Sequence, residues 1–260
     1  MPIEWLICQE PVHIGGADSS SRGNNNPIFR LPDRCPAIPG SSLRGALREH
    51  AESQDDFKEL VTNWFGGQDK DMSPGFISLG WGWPVWWPVH VLGYGNWWVS
   101  CPAWLNRFQQ LSQASPINLK SDQVYVTEPQ LKNKTIYLRW LKLTNVQHYT
   151  QVLPKPQQVP SERLIIVPDT SINVIVDMGL VRQPRVSLSD EPNDKGSLVQ
   201  NLFAVEGFPP GAVFLMTWTS RGKVKELDKW QQFLADEHYL GGLWSVGYGR
   251  ISVSSISGES

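Results

Sequence analysis

The sequence contains few charged residues and few cysteines. Charged residues make up 18% of the 260-residue chain, and 23 Lys and Arg nearly balance 25 Asp and Glu. The formal net charge of -2 predicts no polyanionic partner by itself, so any nucleic-acid site must be a local patch. Cys8, Cys35 and Cys101 form no CxxC pair, which argues against a disulfide framework and a structural zinc site. Such scattered thiols fit a reducing compartment, and we expect a cytoplasmic protein.

The chain also lacks a long apolar run. The first ten residues have no basic region, and Glu4 interrupts their apolar stretch, so they do not resemble a signal peptide. The most apolar region, Phe76 to Leu105, is interrupted by Gly, Pro, His and Asn. It is therefore not a membrane span, and no membrane partner is expected.

Glycine, proline and tryptophan are abundant instead, with 22, 20 and 13 residues. The Gly and Pro content indicates long functional loops on a scaffold and argues against a helical bundle. Many tryptophans lie between Gly75 and Ser100, and core or subunit packing is their favoured role. A base-stacking platform is the alternative for one or two of them.

The order of elements predicts an α+β fold of ferredoxin-like type, with helices on one side of an antiparallel sheet. Pro2 to Cys8 reads as the first strand, and a helix begins at Ser41 or Ser42, either of which could cap it. The alternating run that starts at Asn173 predicts one arm of a long hairpin with a charged tip. Other predicted strands include FISLGW, VWWPVHVLGYGNWWVS, TIYLRWLKLTNV, RLIIVPD, AVFLMTWTS and the last strand after GGLWSVGYGR.

The stretch from His13 to Glu49 predicts a cradle for a nucleic-acid backbone. Leu43 and Leu47 mark the apolar face of its helix, while Arg44 and Arg48 share another face. Phosphates bind to helix N-terminal amides and to guanidinium groups. The residues expected to bind RNA in this stretch are Arg22, Arg30, Arg34, Ser41, Ser42, Arg44 and Arg48.

A second glycine-rich turn, GGLWSVGYG, precedes the last predicted strand. Glycines let the backbone approach a ligand closely, and successive amides can form an anion-binding nest. Taken alone, the helix start at Ser41 and Ser42 could be an ordinary N-cap, and this glycine-rich turn could be an ordinary tight turn. The glycine spacing lacks the P-loop lysine, so a nucleoside triphosphatase is not indicated. The candidate residues here are Gly241, Gly242, Trp244, Gly247 and Gly249.

Four sequence features together resemble the RAMP superfamily of CRISPR-associated proteins. They are the glycine loop from His13 to Gly16, the element from Pro36 to Arg48, the block PVHVLGYGNWWVSCPAWLNRF and the ending GGLWSVGYGRISV. Within that superfamily, the chain looks most like the repeated backbone subunit of type III-B (Cmr) effector complexes. The resemblance spans nearly the whole chain.

This resemblance implies a ferredoxin-like (RRM-like) RAMP fold with long insertions and a projecting β-hairpin thumb. It implies a single domain over 1–260, with a palm core at about 1–105 and 205–260 and an insertion or thumb region at about 106–204. Copies of the chain would stack along the guide RNA (crRNA) in antiviral defence, and complementary target RNA would pair with the guide. The other expected partners are a large Cas10-type subunit, a small subunit and other RAMP subunits.

The same resemblance places a catalytic aspartate two residues before the Pro-Ile of the first loop, where this chain has Asn25. An amide holds a hard cation poorly and cannot carry a proton as a carboxylate does, which argues against RNA cleavage. Asp18 is the alternative carboxylate, or an ordinary turn residue. His13 could contact the guide, assist proton transfer or hydrogen-bond at the loop base. No metal ligands or cofactor are expected for binding; Mg²⁺ or another divalent ion would be needed for cleavage. A non-repeated RAMP subunit that caps the complex or processes guide precursors is a further alternative.

Overall fold

The structure, a computed structural model, describes residues 1–15, 25–67, 73–189, 198–222 and 224–256. The helices are α1 (Gly40–Ser53), α2 (Val61–Phe65), α3 (Pro102–Ser112), α4 (Asp169–Gly179) and α5 (Leu227–Leu234). The strands are β1 (Ile3–Cys8), β2 (Asn25–Asn26), β3 (Ile77–Leu79), β4 (Trp83–Val91), β5 (Gly95–Ser100), β6 (Tyr125–Val126), β7 (Ile136–Leu138), β8 (Leu141–Leu143), β9 (Gln147–His148), β10 (Leu164–Ile166), β11 (Val181–Leu188), β12 (Val199–Gly207), β13 (Val213–Ser220), β14 (Glu237–Tyr239) and β15 (Arg250–Ser255).

The centre of the main sheet has the ferredoxin-like strand order. β1 pairs antiparallel with β13 on one side and with β15 on the other. β13 in turn pairs antiparallel with β3 and β4. In the chain, α1 follows β1 and α5 lies between β13 and β15, as the βαββαβ pattern requires. The predicted α+β, ferredoxin-like fold is therefore confirmed.

Both faces of this sheet are buried. Leu6 and Cys8 of β1 belong to the core cluster that also contains Leu43 of α1 and Phe233 of α5. Trp5 and Ile7 point to the opposite face, because side chains alternate along a strand. They pack in a second cluster, where the Trp5 and Phe108 rings stack at 5.2 Å.

Most tryptophans have the packing role that the sequence predicts. Trp64, Trp86, Trp87 and Trp230 are fully buried. Trp64 and Trp230 meet edge to face at 5.3 Å, a favourable geometry for aromatic rings. The dense aromatic content therefore builds the core between the sheet and its helices.

Beyond the centre, the sheet is extended through β5, β10, β6 and β9. β10 runs parallel to β5, with α3 among the segments that connect them. β7 and β8 form a small hairpin beside β4. The TIYLRWLKLTNV segment is thus two short strands instead of the predicted single one, because the chain turns at Arg139 with a φ of 52°.

A separate three-stranded sheet contains the predicted long hairpin. β11 pairs antiparallel with β12 from Val181↔Gly207 to Leu188↔Val199. The run starting at Asn173 is not all strand, however, since residues up to Gly179 belong to α4. Ile172, Ile175 and Val176 are buried with helical i, i+3, i+4 spacing, which outweighs the strand preference of β-branched residues.

The tip of the hairpin, residues 190–197, lies outside the described residues. Its projection as a thumb and the division into palm and insertion therefore stay predictions. No helix within the described ranges is long and apolar enough to cross a membrane.

Candidate nucleic-acid interface

The N-terminus of α1 has an open first turn. The helix begins at Gly40 after Pro39, whose φ of -58° and ψ of 138° place it in the N-cap position. The predicted cap by Ser41 or Ser42 is therefore wrong, because both serines lie inside the first turn and proline has no side-chain acceptor. The amides of Ser42 and Leu43 donate to the Pro39 carbonyl at 3.0 and 3.2 Å. The amides of the first two helical residues have no acceptor within the helix.

A cleft of about 460 Å³ opens at this helix start. It lies between α1, the end of α2 and β3. Two arginines, Arg44 and Arg221, line it. Their charges and the positive end of the α1 dipole both favour an anion in the cleft. The lining residues are Gly40, Ser41, Arg44, Phe65, Gly67, Ser73, Pro74, Gly75, Ile77, Ser78, Leu79, Trp81 and Arg221.

Arg44 and Arg48 have different surroundings despite their shared helix face. Arg44 is exposed, and one of its nitrogens donates to the carbonyl of Phe65. Its guanidinium has five N–H donors, so others remain available to a ligand. Arg48 is buried and donates to the Gly66 carbonyl at 2.7 Å and to Glu52 at 2.8 Å. The expectation that both guanidinium groups face solvent together therefore holds only for Arg44.

Arg30 and Arg34 are held by an aspartate of α4. Their Nη2 atoms each lie 2.6 Å from a different carboxylate oxygen of Asp177. This charge-assisted pair of bonds fastens the segment before α1 onto α4. Arg34 remains about half exposed, whereas Arg30 is largely buried. Arg22, the remaining arginine of the predicted cradle, lies outside the described residues.

His13 lies at the base of the first loop and is hydrogen-bonded there. Its Nδ1 is 2.7 Å from the Glu206 carbonyl, which can only accept, so Nδ1 carries the proton. In the neutral ring, Nε2 is then an acceptor. The Glu206 carboxylate accepts from the Ile28 amide at 3.3 Å and pairs with Arg182 at 3.2 Å. Glu206 thus joins the first loop to the β11–β12 hairpin.

The two candidate cleavage positions are only partly described. The backbone of Asn25 pairs with Ala204 of β12 in a parallel bridge, and its side chain is not described. Asp18 lies outside the described residues. Within the described ranges, no three metal-ligating side chains come together.

The terminal glycine turn lies directly on the first loop. The Gly242 amide donates to the His13 carbonyl at 3.0 Å, and the Gly249 amide donates to the Pro11 carbonyl at 2.8 Å. Gly241 has a φ of 82°, and a Cβ there would lie 2.1 Å from the His13 carbonyl oxygen. The predicted close backbone approach is thus an approach to the protein's own loop. Trp244 and Gly247 stay on the exposed side of this turn.

Cysteine chemistry is not available at neutral pH. Burial raises the pKa of the Cys35 thiol to about 11. Burial also raises the pKa of Cys8 and of Cys101 well above the usual range. Because the thiolate is the nucleophilic form, none of the three is a candidate nucleophile.

Comparison with known families decides the identity of the fold. The sequence profile of the RAMP superfamily matches residues 5–252. The chain belongs to the RAMP superfamily. This confirms the resemblance seen in the sequence, and no curated protein sequence matches the chain.

Solved structures similar to this RAMP chain include chains of Cmr-beta and Cmr4 structures. A chain of an apo Type III-B Cmr-beta structure has a TM-score of 0.81 at 16% identity, covering 99% of this chain and 97% of the other. A chain of Cmr-beta bound to cognate target RNA has a TM-score of 0.80 at 16% identity, covering 97% and 95%. Oligomeric Cmr4 from Pyrococcus furiosus has a TM-score of 0.71 at 18% identity, covering 98% of each. These likenesses confirm the predicted kinship of fold with Cmr subunits.

Four residues of the site were not singled out from the sequence. Trp81 and Arg221 line the cleft. Asp177 pairs with Arg30, and Glu206 accepts from the Ile28 amide, so both fix the segment before α1. Arg221 comes 140 positions after Trp81 in the chain, and only the pairing of β13 with β3 brings it to the cleft. No local sequence signal could have found it.

Proposed function

We propose that this RAMP chain is a guide-RNA-binding backbone subunit of a type III CRISPR effector complex. It stacks in copies along the crRNA and positions complementary target RNA. The observation that carries the proposal is the cleft at the start of α1, with Arg44, Arg221 and the open amides of the first turn. Guanidinium groups and helix N-terminal amides are the groups that bind phosphate. Because the net charge of the chain is -2, RNA binding must depend on positive charge that is concentrated locally. The cleft is such a local patch.

The likeness to Cmr structures supports the partners in this proposal. One similar chain comes from a complex bound to cognate target RNA, and another from oligomeric Cmr4. We therefore propose copies of this chain, crRNA, target RNA and the large, small and other RAMP subunits as its partners. The alternative of a single capping or guide-processing subunit makes a different prediction for the number of copies on one RNA.

The proposal assigns binding and no cleavage to the chain. Asn25 stands where the RAMP resemblance expects an aspartate, and an amide is a poor ligand for a hard cation. His13 is fixed by the Glu206 carbonyl and so has a structural role at the loop base. Arg30 and Arg34 fasten the segment before α1 through Asp177. Of the two, only the exposed Arg34 is proposed to contact RNA.

The proposal is tested by removing the two cleft arginines, Arg44→Ala and Arg221→Ala, singly and together. Affinity for guide RNA is measured by fluorescence anisotropy over a range of salt concentrations. We expect weaker binding to every RNA sequence. The salt slope should also become smaller, by about 0.7 for each phosphate of the single strand that the variant no longer neutralises.

The matched control is Arg163→Ala, an exposed arginine that does not line the cleft. It should keep the parent affinity and slope. Thermal unfolding of each variant checks that Arg44→Ala, which also removes the bond to Phe65, is folded. If the folded double variant binds guide RNA as the parent does, the cleft is not the RNA site.

A further inference from the structure

A row of aromatic rings includes one residue, Trp81, that lines the cleft. The Trp81 and Trp83 rings are nearly parallel, with centroids 5.9 Å apart. The Phe29 ring meets Trp81 at 5.7 Å in a tilted arrangement. At the far end, the guanidinium carbon of Arg107 lies 3.8 Å from the centroid of Trp83. Trp81 therefore lies between Phe29 and Trp83, and Arg107 lies against Trp83.

Trp81 is only partly covered by these neighbours. It remains 37% exposed, and it lines the same cleft as Arg44 and Arg221. An indole has a large apolar surface that is usually buried. A ring held rigidly by two others, left open in a groove lined with cations, has the form of a stacking surface.

We propose that Trp81 stacks on one nucleobase of the single-stranded RNA that occupies the cleft. The inference rests on the proposed function, since it deepens the same site. The two arginines and the amides at the start of α1 fit phosphate, and the ring beside them fits the base of the same strand. Stacking accepts every base because each has a π-face, so the platform grips RNA without reading its sequence.

Backbone hydrogen bonds next to Trp81 fix the position of this ring relative to α1. Trp83 lies in β4, and Trp81 lies just before that strand. Gly82, between them, bridges to Ile38 through hydrogen bonds of 2.9 and 2.8 Å in both directions. This pairing fixes Trp81 relative to α1, which begins two residues after Ile38. The base-binding ring and the phosphate-binding helix start are thereby held at a constant separation.

The test compares two ligands of equal length, about 12 nucleotides, within the range that single-strand sites cover. One is an oligoadenylate RNA, and the other is an abasic ribose-phosphate strand with the same charge. The full chain is compared with Trp81→Ala and with Trp81→Phe, which keeps an aromatic face. Trp140→Ala is the matched control, because Trp140 is 70% exposed in the β7–β8 turn and does not line the cleft.

We expect Trp81→Ala to bind the oligoadenylate about 5- to 100-fold more weakly, with an unchanged salt slope, because stacking involves no counterion release. Trp81→Phe should recover most of this loss, and Trp140→Ala should match the parent. On the abasic strand, Trp81→Ala and the parent should bind equally. The parent itself should prefer the oligoadenylate to the abasic strand, a result that does not depend on how any variant folds.

Two results would overturn the inference while leaving RNA binding by the cleft in place. One is a parent that binds both strands equally although Arg221→Ala weakens the binding. The other is a folded Trp81→Ala that loses no more oligoadenylate affinity than Trp140→Ala. A parent that binds neither strand would overturn the proposed function and this inference together.

Discussion

The guanidinium of Arg48 lies in the interior between α1 and the end of α2. It donates to the Gly66 carbonyl at 2.7 Å and to the Glu52 carboxylate at 2.8 Å, and so stabilises the carbonyl that follows the C-terminal end of α2. Removing it leaves a buried carbonyl without its donor. Such a loss costs more than the net value of the bond itself, because the remaining group has lost its water.

We therefore predict that Arg48→Ala lowers the free energy of unfolding by about 2 to 3 kcal/mol. Arg44→Ala, on the exposed side of the same helix, should lower it by no more than about 1 kcal/mol. Urea denaturation at neutral pH measures both. Equal losses for the two variants would contradict the different roles that the structure gives them.

His238 makes the stability of the protein depend on pH. It is buried, and its Nδ1 lies 2.7 Å from Nδ1 of His50. Burial, together with the neighbouring His50, lowers the pKa of His238 from its ordinary 6.5 to about 4. Between these values the unfolded chain binds the proton and the folded chain does not. Stability due to His238 is therefore complete above pH 6.5 and falls as the pH drops toward 4.

We predict that this residue alone removes about 2 to 3 kcal/mol of unfolding free energy between about pH 7 and about pH 4.5. Denaturation curves of the parent and of His238→Leu at both pH values give the difference that belongs to His238. His90→Leu is the control, because His90 is exposed. A His238→Leu chain with the parent's pH dependence would contradict the assignment.

Replacing Asn25 with Asp tests whether the amide at this position is what prevents metal-dependent RNA cleavage. An Asp at this position supplies the carboxylate that a hard divalent cation prefers. We predict that Asn25→Asp, assembled with guide RNA, cuts matched target RNA in the presence of Mg²⁺, while the parent leaves it intact. Gel analysis of labelled target reads the outcome, with EDTA as the control. Regular cuts by the parent would show instead that another residue, Asp18 first, supplies the carboxylate.

The contact between the terminal turn and the first loop depends on Gly241. Both Gly241 and Gly247 have positive φ values, 82° and 86°, which disfavour a side chain equally. They differ in space, since a Cβ at Gly241 would lie 2.1 Å from the His13 carbonyl and one at Gly247 would meet nothing within 4 Å. The two positions thus separate backbone strain from steric clash.

We predict that Gly247→Ala costs about 1 kcal/mol of stability, the usual strain of a left-handed residue. Gly241→Ala should cost clearly more, and it should also speed hydrogen exchange of the Gly242 amide, which donates to His13. Denaturation and exchange measurements on both variants check this. If the two substitutions cost the same, the close approach of the loops does not contribute to stability.

Some elements could be predicted from local sequence patterns alone. The helical spacing of Leu43 and Leu47 located α1, and the apolar run after Ala212 located β13. α4 could not be separated from β11 in this way. Its β-branched residues favour a strand, and only their burial against the sheet selects the helix.

The candidate site was predictable only in part, for the same reason. Arg44 and Arg48 look equivalent in the sequence, four residues apart on one helix. In the fold, Arg44 donates to the carbonyl of Phe65 and stays exposed, whereas Arg48 donates to the next carbonyl, that of Gly66, and is buried. In the same way, the pairing of Arg30 and Arg34 with Asp177 joins residues about 140 positions apart. Long-range partners of this kind leave no periodic signal in the sequence.

The topology of the main sheet assembles the cleft from segments that are far apart in the chain. β13 lies next to β3, with Ser220 opposite Ile77, so Arg221 reaches the groove beside the start of α1. The cleft is thus built from three segments that are distant in the chain, around one ferredoxin-like centre. In the proposed function, each copy of this RAMP chain binds phosphates through the cleft and ignores base identity, which suits repetition along a strand.

The most direct measurement of that proposal is native mass spectrometry of the full chain with guide RNAs of increasing length. A repeated backbone subunit binds in copies whose number rises by one for each constant increment of RNA, and the folded Arg44→Ala, Arg221→Ala double variant forms fewer of these complexes. A capping or processing subunit gives one copy per RNA at every length. A constant single copy, or no complex at all, would contradict the function proposed for this chain.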